Sequence, residues 1–207
     1  MTNSFLFSNN FFLPAFTSIP SAFKNSFLLL GHLLAPIGIG SYNSAVMSFL
    51  RFLMVLSLVV WIGGLIFFAF VLAPTAFQVL PSTHLAGNVV GRALGKLHWI
   101  AIFSGVVFLI ASLLYSYLTQ GTAHVFAMRH VLICLMLALT LFSQFWIIPR
   151  MDTLRASVGD FTAVPLSDPQ RVQFDALHVW STRVESAVLL LGLVLIYLTA
   201  SAVYKPR

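Results

Sequence analysis

The sequence contains few charged residues and very few acidic ones. Only 8% of its 207 residues are charged, and the five acidic residues all lie between Asp152 and Glu185. Soluble proteins have about a quarter charged residues, so this composition excludes an ordinary soluble domain. The 11 basic residues occur singly, and no basic-aromatic motif is present. We therefore expect no nucleic-acid partner, despite a net charge of +6.

Cysteine is almost absent, and familiar catalytic motifs are missing. The single Cys134 cannot form a disulfide within the chain and has no CxxC partner, so we expect it to be a small buried apolar residue. The sequence contains no HExxH motif, phosphate-binding loop or nucleophile elbow. Hydrolytic and nucleotide chemistry therefore have no support, and we predict no catalytic residue.

Long stretches of the chain contain no Asp, Glu, Lys or Arg. An uncharged apolar segment of about 18 or more residues is long enough to cross the membrane as a helix. The sequence therefore predicts an all-α polytopic membrane protein, a bundle of four transmembrane helices. The predicted spans are residues 52–73, 97–118, 129–148 and 182–203.

Prolines and capping residues predict where the helices begin and end. Pro74 is expected to kink the first helix, which continues beyond it, and Pro149 is expected to end the third. Ser82 is a suitable N-cap for a second helix from Thr83, and Pro169 is suitable for the start of the fourth. At about 1.5 Å per residue, these helices exceed the bilayer thickness and are predicted to extend out of it on one face.

The first 46 residues do not fit this pattern. We predict that residues 1–46 are an N-terminal extension, either poorly ordered or upstream of the true start, and that residues 47–204 form the membrane domain. We expect the bacterial inner membrane as the location, and the short turn at 119–127 favours both termini inside. The expected partners are the lipid bilayer, anionic lipids included, and either further copies of the chain or other subunits of a membrane complex.

Polar residues recur at helical spacing on one predicted membrane face. They occur at steps of three or four from Arg171 to Glu185, and at steps of four from His84 to Lys96. Because intramembrane carboxylates usually pair, we expect Glu185 to pair with Lys96 or Arg92. The alternative is that these charges only tie the helices together. The residues predicted to form a polar vestibule that contacts substrate or ions are Arg92, Lys96, Arg150, Asp152, Arg155, Asp175, His178, Ser181 and Glu185.

A few polar residues lie within the predicted spans. Thr140 and Gln144 form a polar pair in the third span, where hydrogen bonding between helices is expected. His98 and His178 enter the membrane on the same face and are the candidate metal ligands. Their spacing does not define a metal site, so we predict no cofactor and keep haem or a transition metal as the alternative. Glycines in the first two spans are expected to permit close helix packing.

Several segments together resemble one protein family. They are Trp61-Ile-Gly-Gly with Ala73-Pro74, Gly91-Arg92, the segment from Ser143 to Met151 with Arg155, and Leu177-His178-Val-Trp-Ser181. From about Met47 to Val203 the chain resembles the bacterial domain-of-unknown-function family that includes the animal proteins called transmembrane protein 205. It is distantly similar to copper-resistance protein D and to membrane protoporphyrinogen oxidases.

The resemblance implies a four-span membrane domain without an agreed activity. The association of the animal members with platinum-drug resistance implies a small transport or metal- and drug-resistance factor. A haem- or porphyrin-binding redox protein that uses His98 and His178 is one alternative. A structural subunit of a larger membrane complex is the other.

Overall fold

A computed structural model describes residues 44–121, 127–159 and 161–203, and the predicted extension lies outside them except for its last three residues. Within these ranges all regular structure is helical. Four helical segments are long and apolar enough to cross a membrane. The prediction of an all-α, four-span membrane protein is therefore confirmed.

The second and fourth helical segments each begin at a residue whose side chain caps the helix. The elements in chain order are α1 (Ser44–Phe67), a π-helical turn (Phe68–Leu72), α2 (Ala73–Val79), α3 (Thr83–Gln120), α4 (Met128–Phe142), a second π-helical turn (Ser143–Ile147), α5 (Ile148–Val158), a 3-10 turn (Phe161–Ala163) and α6 (Pro169–Val203). As predicted, the Ser82 hydroxyl caps α3 and accepts from the N–H of Leu85 at 3.2 Å. The Asp168 carboxylate likewise accepts from the N–H of Gln170, at 2.8 Å, at the start of α6.

The helices pack around one apolar core. Helix α1 contacts α3 and α6, and α4 contacts the same two helices. Trp61, Phe108 and Met136 are fully buried in this core, whereas many large apolar side chains elsewhere face outward. Lipid tails are as apolar as leucine, so an apolar exterior is expected of a membrane bundle. Cys134 is also exposed, so the prediction that it is buried was wrong, since its side of α4 faces outward.

Pro149 does not end the third helical segment, which is formed by α4, the second π-helical turn and α5, contrary to the prediction. The helix continues to Val158 through a π-helical turn, in which the N–H of Ile148 donates to the carbonyl of Ser143, five residues earlier. A proline has no N–H, and its ring clashes with the carbonyl four residues earlier in an α-helix. The wider π-turn relieves both problems and lets the helix continue. The same arrangement precedes Pro74, where the first helical segment continues as predicted.

Two glycines allow the helices to approach closely. A Cβ added at Gly105 would lie 2.6 Å from the Trp61 ring, and one added at Gly192 would overlap the Ile62 side chain. Gly63, by contrast, would place a Cβ in open space. Close packing therefore depends on Gly105 and Gly192. In the first span the expectation holds at Gly64, where a Cβ would lie 2.8 Å from the Leu97 side chain, and not at Gly63.

Candidate functional site

A polar network lies inside the bundle and is centred on His98. The side chain is 1% exposed, and its two ring nitrogens contact two different helices. Nδ1 lies 3.1 Å from Gln144 Oε1, and Nε2 lies 2.8 Å from Glu185 Oε1. The Ser143 hydroxyl donates to the same Glu185 oxygen at 3.1 Å. A fully buried imidazole is thus hydrogen-bonded to a carboxylate whose side chain is 14% exposed.

The chemistry of the network permits two protonation states of the imidazole. A carboxylate only accepts hydrogen bonds, so Nε2 carries a proton when Glu185 is ionised. Nδ1 then donates to the Gln144 carbonyl if the ring is charged. If the ring is neutral, Nδ1 accepts from the Gln144 amide N–H after the Gln144 side-chain amide turns over. His98 can therefore gain or lose one proton while both nitrogens stay bonded.

The π-helical turn before Pro149 contributes two residues to this network, Ser143 and Gln144. Ser143 is fully buried, Gln144 is half-buried, and the two adjacent side chains reach α6 and α3 respectively. Single π-turns within α-helices occur frequently at functional sites. The proline that requires the turn thus also determines where Ser143 and Gln144 point.

A polar cleft opens at the end of the bundle where α3 begins. It has a volume of about 410 Å³ and is lined by His84, Asn88, Arg92, Asp152 and Arg155. His84 and Asn88 are hydrogen-bonded at 3.0 Å, and Arg155 forms an ion pair with Asp152 at 2.9 Å. The lining has two guanidinium groups and one carboxylate, so it favours a negatively charged ligand.

A second, more apolar cleft of about 280 Å³ adjoins the polar one. Arg155 lines both clefts and lies over the Phe174 ring at 5.2 Å. A Cβ at Gly91 would lie 2.5 Å from Arg155 Nη1, so the glycine makes room for the guanidinium against α3. His178 and Ser181 are the other polar residues on the α6 side of this cleft.

The apolar cleft lies directly above the buried network. Three of its lining residues are each four positions from a network member, in the pairs Leu94 with His98, Ile148 with Gln144, and Ser181 with Glu185. Four residues are about one helical turn, or about 5.4 Å along the axis. The polar cleft, the apolar cleft and the His98–Glu185 pair therefore follow one another from the bundle end toward its centre.

The predicted vestibule residues divide into four groups in the structure. Arg92, Asp152 and Arg155 line the polar cleft, and His178 and Ser181 line the apolar cleft, whereas Glu185 belongs to the buried network. Lys96, Arg150 and Asp175 are exposed and line neither cleft, and Arg150 lies 3.8 Å from the Trp146 ring. The expected pairing of Glu185 with Lys96 or Arg92 was wrong, because the carboxylate faces His98 in the core.

The residues proposed for the membrane interior also occupy distinct places. Gln144 bonds between helices, whereas Thr140 is buried and its hydroxyl has no hydrogen-bond partner. The two candidate metal ligands differ in exposure, because His98 is buried in the core whereas His178 is exposed in the apolar cleft. An iron or other metal at His98 would have to replace its bond to Gln144 or Glu185. In the described part of the chain, no three His, Cys, Asp or Glu side chains are grouped to hold a metal ion.

The role of His98 as the centre of the network was missed from the sequence. It was considered only as a metal ligand, although its position on the face of α3 that carries Ala101 and Gly105 indicates a buried residue. That spacing shows burial but does not show which residues of other helices lie opposite. The available signal was the combination of a lone intramembrane carboxylate and a histidine at similar depth.

Comparison with known protein families gives one match. The family described as "Domain of unknown function (DUF4149)" matches residues 56–159, which include His98, Gln144 and Arg155 but not Glu185. No curated protein and no solved structure matches the chain. The match confirms the resemblance to an uncharacterised domain family, and the finer likeness to transmembrane protein 205 and copper-resistance protein D stays a prediction. Because the match covers half of the chain, the protein belongs to the DUF4149 family.

Proposed function

We propose that this integral membrane protein is a small transport protein for anionic, carboxylate-bearing solutes. The observation that carries the proposal is the His98–Glu185 pair, bonded at 2.8 Å inside an apolar bundle beneath two clefts. Ionisable residues at membrane depth are energetically costly and commonly mark ion or substrate pathways. Their position below an open cleft favours a pathway over a purely structural ion pair.

Arg155 is the proposed first contact for the solute. Its guanidinium presents several donors in a fork that matches the geometry of a carboxylate. The residue already pairs with Asp152, but the Asp152 side chain is 59% exposed, so the pair is of the weak surface type. A solute carboxylate can therefore replace Asp152 at little cost. Arg92, on the same cleft, supplies a second positive charge.

The buried pair is the proposed proton-exchange site. Because Gln144 can present either its carbonyl or its amide to Nδ1, His98 can change protonation without an unpaired nitrogen. Movement of a negative solute through an apolar bundle is favoured if a proton moves with it, since the net charge transferred is then smaller. We propose that His98 and Glu185 supply this proton.

The finer expectations from the sequence belong to this proposal. We propose a bacterial inner-membrane location with both termini inside, and a resistance role if the solute is a metal complex or a drug anion. A haem-binding role for His98 and His178 ranks lower, because both nitrogens of His98 are bonded within the protein. A role as a structural subunit is the remaining alternative.

The test is uptake by proteoliposomes that contain the purified protein, measured with radiolabelled lactate, succinate and citrate. We expect saturable uptake of at least one of these acids, lost in Arg155→Gln and Glu185→Gln. The matched control is Arg150→Gln, since Arg150 is exposed and lines neither cleft. No uptake of any of the three, or equal loss in the control, would contradict the proposal.

Two further readings come from the same preparation. If Arg155→Gln and Glu185→Gln only reduce the amount of protein in the membrane, the cluster is structural. A Soret absorption band in the purified protein would contradict the transport proposal and support the haem-binding alternative.

A further inference from the structure

A second cluster of basic residues lies at the opposite end of the bundle. Arg51 of α1 donates two hydrogen bonds to the Tyr115 hydroxyl of α3, from Nη2 at 2.6 Å and from Nε at 3.1 Å. Arg129, in the first turn of α4, is close enough to Tyr115 to interact with it electrostatically. Its Nε is buried and has no hydrogen-bond partner. The Tyr115 hydroxyl is thus hydrogen-bonded to one guanidinium group, and a second lies within electrostatic range.

No described acidic side chain is near this cluster. All five acidic residues occur between Asp152 and Glu185 in the sequence. Arg92 marks the end of α3 that contacts the acidic segment, and Tyr115 is about 35 Å further along the same helix at about 1.5 Å per residue. The two arginines therefore have no carboxylate among the described residues to balance their charge. A buried guanidinium nitrogen without an acceptor is costly, so an external anion is expected to provide one.

The start of α4 adds to the preference for an anion. The helix has no acidic residue in its first turn, and its N-cap Ala127 makes no side-chain capping bond. The first N–H groups of a helix have no partner within it, and they form the positive end of the helix dipole. Arg129 belongs to this same turn.

The depth of the cluster in the membrane indicates which anion it meets. Arg51 directly precedes the apolar stretch of the first span, and Arg129 directly precedes that of the third. Basic residues at the ends of spans lie at the level of the lipid headgroups. We propose that Arg51, Tyr115 and Arg129 bind the phosphate group of an anionic phospholipid. This site is separate from the two clefts and does not depend on their function.

The test is native mass spectrometry of the full-length protein after removal of bound lipid, titrated with phosphatidylglycerol or phosphatidylcholine. We expect preferential binding of phosphatidylglycerol, weakened about tenfold or more in Arg51→Gln/Arg129→Gln, because hydrogen bonds to charged groups are the stronger ones. The matched control is Arg150→Gln/Arg183→Gln, in which two exposed arginines that stack on tryptophans are replaced. Its lipid affinity should be unchanged.

Two further measurements distinguish binding of a lipid headgroup from binding of free phosphate, and test the site with a variant that is expected to fold. Displacement of the lipid by inorganic phosphate supports a site for the phosphate group itself, and selective lipid binding that phosphate does not disturb supports recognition of the whole headgroup. Tyr115→Phe, which removes only a hydroxyl, should weaken binding by about threefold even if the double variant does not fold. Equal binding of the two lipids, or equal weakening in the control variant, would overturn the proposal.

Discussion

Replacement of Glu185 by leucine tests the buried network most sharply, because two donors lose their acceptor at once. These donors are His98 Nε2 and the Ser143 hydroxyl, at 2.8 and 3.1 Å from the same carboxylate oxygen. Each buried donor left without a partner costs about 1–3 kcal/mol. We therefore expect Glu185→Leu to lower the free energy of unfolding by about 2–6 kcal/mol. At about 3 °C per kcal/mol for a protein of this size, that corresponds to a fall in Tm of about 6–18 °C.

The second single variant and the double variant complete the cycle. His98→Leu leaves the Glu185 carboxylate with Ser143 and no imidazole, and we expect it to be at least as destabilising. The double variant His98→Leu/Glu185→Leu removes both buried ionisable groups. It should lose less stability than the two single variants together, by about 2 kcal/mol, since the pair no longer leaves one partner unsatisfied.

The assay is thermal unfolding in detergent, followed by tryptophan fluorescence, since Trp61 is buried in the core. Ser186→Leu is the matched control, because it makes the same residue at the neighbouring exposed position of α6. We expect its Tm to stay within about 2 °C of the wild type, as is usual for surface substitutions. If the double variant loses as much stability as the sum of the single variants, His98 and Glu185 are not coupled.

Two glycine substitutions give further predictions, each with a matched control. Gly105→Ala should lower stability by about 1–3 kcal/mol because its Cβ would meet the rigid Trp61 ring, whereas Gly63→Ala, with nothing within 4 Å, should raise it by up to about 1 kcal/mol. Thermal unfolding distinguishes them, and equal shifts would contradict the packing described. Gly91→Ala should displace the Arg155 guanidinium and reduce solute uptake without a lower Tm. Gly95→Ala, which also has open space around its Cβ, should leave uptake unchanged.

The architecture was predictable from the sequence because charge is excluded from lipid so strongly. The charge-free stretches identified all four spanning segments, and the Ser82 cap was located correctly. The end of the third helical segment was not located correctly, because a proline such as Pro149 ordinarily ends an α-helix. In the bundle the backbone instead keeps its hydrogen bonds through a π-turn, as a membrane environment requires.

The site was predictable only in part, for a different physical reason. Helical spacing shows which residues share a face, and Arg92, Arg155 and His178, which were predicted to share one membrane face, line the two clefts in the structure. Spacing does not show how two helices are rotated against each other. The partner of Glu185 therefore could not be derived, although its need for a partner could.

The most direct test of the central claim uses a feature of the composition: Glu185 is the only glutamate in the chain. Protein labelled with ¹³C at the glutamate carboxyl and with ¹⁵N in histidine therefore reports a single site by solid-state NMR in lipid bilayers. We expect a measurable carbon–nitrogen dipolar coupling across the 2.8 Å hydrogen bond between Glu185 Oε1 and His98 Nε2, and its loss in His98→Leu. A labelled carboxyl signal without coupling to any histidine nitrogen would contradict the buried pair on which the proposed function rests.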